Sequence, residues 1–156
     1  MYGHESIDGQ SPRAPAPRDQ EKMLKLAVID DDPDICVIIR TLFRSRGVEV
    51  VEAFTGMRGL SLVRKERPDV VLLDIMMPDI DGYEVYRRIK LDPETKEIPV
   101  IFMSALARVD HIQKGLRMGA NGYIVKPFSP LALIEKVLAV AQRQDAPEAA
   151  VIRSAA

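Results

Sequence analysis

The sequence predicts a three-layer α/β/α sandwich on a five-stranded parallel sheet, and three observations carry that prediction. Five short apolar runs alternate with longer amphipathic stretches along residues 23–143, the pattern of βα units wound around a sheet. Most of these runs are continuously apolar rather than alternating, as strands covered by helices on both faces require. The stretches between them carry helix start and stop signals at their ends.

The first run, Lys25 to Ile29, is followed by Asp32-Pro33, a capping side chain ahead of a proline at the first helical position. Ile35, Ile38, Ile39 and Leu42 then recur at helical spacing, and Gly47 stands as a left-handed stop before the second run, Val48 to Ala53. The third and fourth runs are Asp69 to Leu73 and Ile98 to Met103. Gly119 closes the helix ahead of the fifth run, Gly122 to Val125. Ser129-Pro130 opens a last helix with apolar positions Leu131, Ile134, Val137, Leu138 and Ala141. Residues 1–22 are polar and proline-bearing and are expected to form a disordered tail; residues 144–156 are expected to form a flexible end.

Composition narrows the function classes. A chain of 156 residues with 47% hydrophobic residues can bury one ordinary core. Charged residues make up 29% of it, yet the net charge is −1, so no global field draws it to nucleic acid. Nothing approaches the ~18 consecutive apolar residues of a membrane span, and the N-terminus lacks the apolar core of a secretion signal, so the cytoplasm is the expected location. The single cysteine, Cys36, excludes an internal disulfide and reads as a small apolar residue among Ile35, Val37 and Ile38.

In open parallel sheets ligands bind beyond the carboxyl ends of the strands. Those ends carry Asp30-Asp31-Asp32, Asp74, Ser104 and Lys126-Pro127. In the flavodoxin-like strand order 2-1-3-4-5, strands one and three are neighbours, so Asp30, Asp31 and Asp74 converge. Three carboxylates in one place raise one another's pKa or share a cation, and hard oxygen donors select Mg²⁺ or Mn²⁺. Lys126 and Ser104, an ammonium and a hydroxyl facing the same cluster, are donors suited to an anion, for which a phosphoryl group on Asp74 is the natural candidate.

Four motifs in order make a family resemblance: Val28-Ile29-Asp30-Asp31-Asp32, Leu72-Leu73-Asp74-Ile75-Met76-Met77-Pro78-Asp79-Ile80-Asp81-Gly82, Met103-Ser104-Ala105, and Tyr123-Ile124-Val125-Lys126-Pro127-Phe128. The sequence from Lys25 to about Arg143 closely resembles the receiver domain of two-component response regulators, the CheY-like family. The resemblance implies that Asp74 is phosphorylated by a histidine kinase or histidine phosphotransfer protein. It implies a metal site of Asp30, Asp31, Asp74 and the Met76 backbone carbonyl, with Ser104, Ala105 and Lys126 on the phosphoryl oxygens. It makes Ser104 and Tyr123 switch residues and the Lys126-Pro127 bond cis. Met76 and Leu106 occupy the positions that tune dephosphorylation, and since neither side chain can hydrogen-bond an attacking water, slow hydrolysis is expected.

The remaining polar residues read as structural. Asp32 is a helix cap, Asp79 and Asp81 are turn acids, His111 is an exposed helical residue, His4 lies in the tail, and Arg87, Arg88 and Lys90 form a solvated helix face. No second globular segment is visible after Arg143, so a stand-alone, non-enzymatic signalling receiver is expected, monomeric or dimerising on phosphorylation. Its downstream protein target would be met through the face spanning residues 108–140, with no direct nucleic acid or membrane contact. The alternatives are an aspartyl-phosphate phosphohydrolase of the haloacid dehalogenase type, which would need a second acid where Met76 stands, and a flavodoxin-like cofactor binder, whose phosphate the carboxylates would repel.

Overall fold

A computed structural model of the chain describes residues 22–143 and 151–152. Five βα units follow one another: β1 (Lys25–Ile29), α1 (Pro33–Arg44), β2 (Glu49–Ala53), α2 (Gly56–Glu66), β3 (Val70–Asp74), α3 (Gly82–Leu91), β4 (Val100–Ser104), α4 (Val109–Arg117), β5 (Gly122–Val125) and α5 (Pro130–Arg143). The strands pair in parallel in the order expected, β2-β1-β3-β4-β5. One strand was not expected: Val151–Ile152, within the segment read as a flexible end, pairs in parallel with Tyr123 and Ile124 as β6, so among the described residues the sheet has six strands. The tail expected over 1–22 lies outside the described residues apart from Lys22.

The continuously apolar strands conceal a period of two. Leu26 and Val28 of β1, Val70 and Leu72 of β3, Ile101 and Met103 of β4 and Ile124 of β5 pack with α1 and α5. Ala27 and Ile29, Val71 and Leu73, Val100 and Phe102, Tyr123 and Val125 pack with α2, α3 and α4. Successive side chains point to opposite faces of a strand, so two separate cores form, one on each side of the sheet.

The helix punctuation holds where it was read. Asp32 accepts from the Asp34 N–H (2.9 Å) and Ser129 from the Ala132 N–H (3.4 Å), while Gly47 and Gly119 take left-handed φ values of 71° and 101°. The apolar stripes are rotated from those expected. In α1 the buried residues are Cys36, Ile39 and Phe43, leaving Ile38 at 46% exposure; in α5 Leu133 goes inside and Leu131 stays out. Two strands also end later than expected, so Asp74 and Ser104 are the last residues of β3 and β4 rather than the first beyond them.

Lys90 departs from the solvated face assigned to it. Its ammonium donates to the carbonyls of Lys96 (3.0 Å) and Ile98 (2.6 Å), closing the α3–β4 connection. Arg87 and Arg88 do stay at the surface, both paired with Glu84.

Gly82 opens α3 where the chain turns back against β3. Its N–H donates to the Ile75 carbonyl at 2.7 Å, and a Cβ there would overlap the Asp74 carbonyl oxygen and lie 2.7 Å from Ile75 Cα. Backbone cannot yield as a side-chain end can, so Gly82→Ala is expected to cost about 2 kcal/mol or more of stability, read as a lowered urea midpoint.

Candidate functional site

The β1–β3 register puts Ile29 opposite Leu73, which brings the next residues, Asp30 and Asp74, together at the carboxyl edge of the sheet. Alternation sends both to the face covered by α1 and α5, and Lys126, two beyond Ile124, follows the same parity. One carboxylate oxygen from each of Asp30, Asp31 and Asp74 lies within 4.8 Å of the others. Asp30 is fully buried, Asp74 nearly so, and Asp31 is exposed.

Asp30 is the best satisfied of the three. Its Oδ1 accepts from the Asp32 N–H at 2.9 Å and its Oδ2 from the Lys126 ammonium at 2.6 Å, while the Cys36 thiol leans on its carbonyl. Burial pushes that thiol up to about 12, consistent with inert packing. Asp74 is poorly satisfied: the Met76 N–H stands 3.4 Å from Oδ1, and Lys126 Nζ is 3.7 Å from Oδ2. Burial first, and then the charge of Asp30, push its carboxyl from 3.8 up to about 7, with Lys126 pulling the other way. Two buried carboxylates and an exposed one, with Asp74 short of donors beside a single ammonium, fit a small divalent cation, whose charge would replace the missing donors.

Ser104 and Tyr123 have the opposite parity and belong to the α4 side. The Ser104 hydroxyl accepts from the Leu106 N–H at 3.1 Å, and the Tyr123 hydroxyl donates to the Leu106 carbonyl at 2.8 Å. The Tyr123 ring is wholly buried, tilted on Phe102 at 6.4 Å between centroids, and its hydroxyl is pushed up to about 12 by burial. Thus the structure gathers Asp30, Asp31, Asp74 and Lys126, and turns Ser104 away to Leu106. Leu106, singled out for its side chain, contributes both polar groups of its backbone to the two residues. The Lys126-Pro127 bond is cis. Ala105 is exposed next to Ser104, and the Met76 side chain is 59% exposed.

The two acids read as turn formers have more definite partners. Asp81 caps α3, accepting from the Glu84 N–H at 2.9 Å. Asp79 accepts from the N–H groups of Gly56 (2.9 Å) and Met57 (2.8 Å) at the start of α2, and these bonds hold its carboxyl down at about 2. Sequence gave no signal for that contact, since its partners lie 23 and 22 residues away. His111 is half-buried in α4, more enclosed than its exposed reading.

Residues 26–138 match the response regulator receiver domain family. RpaA of Synechocystis sp., named a DNA-binding dual master transcriptional regulator, is 34% identical over 123 residues, 79% of this chain and 51% of that protein. The ycf27 protein of Guillardia theta, which carries the name of a transcriptional regulator, is 42% identical over 125 residues, 80% of this chain and 48% of its own length. The chain therefore spans about half the length of these curated relatives. The receiver domain of Francisella response regulator 1452 superposes with a TM-score of 0.73 at 34% identity, covering 78% of this chain and 99% of that one. Among the described residues no helix is long and apolar enough to cross a membrane.

The raised carboxyl of Asp74 sets a pH dependence in the cation-free protein. Between about 3.8 and about 7 the folded chain holds a proton that the unfolded chain has released. Stability from this group is therefore fully present below the lower value and declines as pH rises through the upper one. Asp74→Asn, with no charge to bury, is expected to melt above wild type near pH 8 in EDTA, and the gap should close as pH falls toward about 4.

Proposed function

This chain belongs to the response regulator receiver domain family, and on that premise we propose that Asp74 accepts a phosphoryl group from the phosphohistidine of a histidine kinase or phosphotransfer protein. The observation that carries the reading is the convergence of Asp30, Asp31 and Asp74 within 4.8 Å, with Lys126 as the ammonium at their edge.

A carboxylate oxygen of Asp74 attacks phosphorus, the P–O bond forms as the P–N bond of phosphohistidine breaks, and the imidazole leaves with the electron pair. Asp74 must be ionised to attack, and the positive charge of Lys126 favours that form against burial and Asp30. Lys126, already 3.7 Å from Asp74, is the donor we assign to a phosphoryl oxygen, with Ser104 and Ala105 as the further contacts. Mg²⁺, when held by Asp30, Asp31, Asp74 and the Met76 carbonyl, supplies positive charge against the developing charge on those oxygens.

The Ser104 hydroxyl accepts from the Leu106 N–H and the Tyr123 hydroxyl donates to the carbonyl of the same residue, so a Ser104 drawn toward a phosphoryl oxygen would disturb the residue that also holds Tyr123. We assign the output to a protein contact on the face formed by α4, β5 and α5, residues 108–140, because Tyr123 belongs to β5 and packs on the α4 side of the sheet. The name of RpaA attaches DNA binding to a whole protein of which the matched segment is 51%. For the receiver itself we assign a protein target.

Two measurements test the proposal. Acetyl phosphate with Mg²⁺ should add one phosphoryl mass to wild type, none to Asp74→Asn and none in EDTA; multiple turnover of a small phosphoester would instead favour a hydrolase. The phosphorylated protein should be long-lived, because neither Met76 nor Leu106 can orient water, and Met76→Asn should shorten its lifetime. A short wild-type lifetime that neither position controls would contradict the roles assigned to them.

A further inference from the structure

Asp79 is an exposed residue of the β3–α3 loop, and both of its carboxylate oxygens are spent on backbone N–H groups of a different element. Gly56 and Met57, its partners, are the first residues of α2, where a helix leaves four N–H groups without internal partners. That helix already has a local cap, the Thr55 side chain accepting from the Arg58 N–H at 3.2 Å. What the second cap adds is a tie between α2 and the loop that follows Asp74.

The rest of the loop is built around that tie. Gly56 leaves room for Ile80, since a Cβ there would lie 2.5 Å from Ile80 Cγ1 and 2.9 Å from Val85 Cγ2. At the other end Gly82 seats the chain against the residue that follows β3, through the Ile75 carbonyl. Between these anchors Met76 has an exposed side chain and only a long N–H contact to Asp74, so little at Met76 itself fixes its peptide. The anchor at Asp79 is charge-assisted and doubled, hence among the stronger hydrogen bonds available to a surface residue.

We propose that Asp79 is a positioning residue of the phosphoacceptor site: by binding the start of α2 it fixes the path of residues 75–78, and with it the Met76 carbonyl, against the acidic cluster. This rests on the function proposed above, because that carbonyl matters only if a cation is held there. Asp79 touches neither cation nor phosphoryl group; it acts through the backbone of the loop.

Three variants separate positioning from plain stabilisation. Asp79→Ala removes the tie, Asp79→Asn retains a neutral acceptor for one of the two N–H groups, and Thr55→Ala removes a cap from the same helix without touching the loop. Amide hydrogen exchange in EDTA and Mg²⁺ affinity by titration calorimetry are measured on each. Both alanine variants should lower the melting temperature. Only Asp79→Ala should speed exchange across residues 75–81 and weaken Mg²⁺ binding, by about tenfold, the scale of a lost supporting contact at a metal site; Asp79→Asn should fall between. Unchanged exchange and affinity in Asp79→Ala, or an equal loss of affinity in Thr55→Ala, would overturn the proposal while leaving the phosphoacceptor reading intact. Failure of wild type to bind Mg²⁺ would overturn both.

Discussion

The structure turns on an electrostatic conflict at the tips of two adjacent strands. Parallel pairing of β1 with β3 in this register leaves Asp30 and Asp74 side by side, and the alternation that buries Val28 and Leu72 sends both acids to the same face. Both are buried. Water, which normally solvates such charges, is replaced by one ammonium and a handful of N–H groups, so the charged state is costly unless positive charge is brought in. Lys126 supplies part of it across the sheet from β5, but its short contact is with Asp30, leaving Asp74 as the acid still in need. That shortage is what a divalent cation and a transferred phosphoryl group, with Lys126 moving onto its oxygens, would answer in turn.

The same alternation puts the acidic cluster and the two hydroxyl residues on opposite sides of the sheet. Asp30, Asp74 and Lys126 sit on the α1 and α5 side, while Ser104 and Tyr123 sit on the α4 side and meet at the backbone of Leu106. A hydroxyl that left the Leu106 N–H for a phosphoryl group would change the hydrogen bonding of a residue whose carbonyl Tyr123 also uses. On the function proposed, the link between chemistry and surface would be short, its parts a serine, the backbone of Leu106 and a buried ring. The β5 edge of that surface is lined by the two-residue strand Val151–Ile152, so part of its backbone is already paired.

Much of this was legible in the sequence because the relevant signals are local. Continuous apolar runs, Asp32-Pro33, Ser129-Pro130, Gly47 and Gly119 each report on their own backbone, and the acids at the run ends needed only the strand order to be brought together. What stayed hidden depends on partners distant in the chain. The exposure of Ile38 and Leu131 follows from how α1 and α5 are rotated on the sheet, which several adjacent apolar residues leave undetermined. Asp79 looked like a turn former because its partners at Gly56 and Met57 belong to another βα unit, and Lys90 looked solvated because the carbonyls it closes on lie past the end of its own helix. The sixth strand lacked the length and the apolar pattern by which a strand is read.

The most direct measurement is the titration of the Asp74 carboxyl carbon by NMR, followed without cation and again at saturating Mg²⁺. Burial, with the charge of Asp30 added to it, should hold the cation-free group protonated until about pH 7, and Mg²⁺ should keep it ionised down to the ordinary carboxylate range of about 3.8 or below. A group that titrates in that ordinary range with or without Mg²⁺ would contradict the conflict at the strand tips on which the proposed chemistry depends.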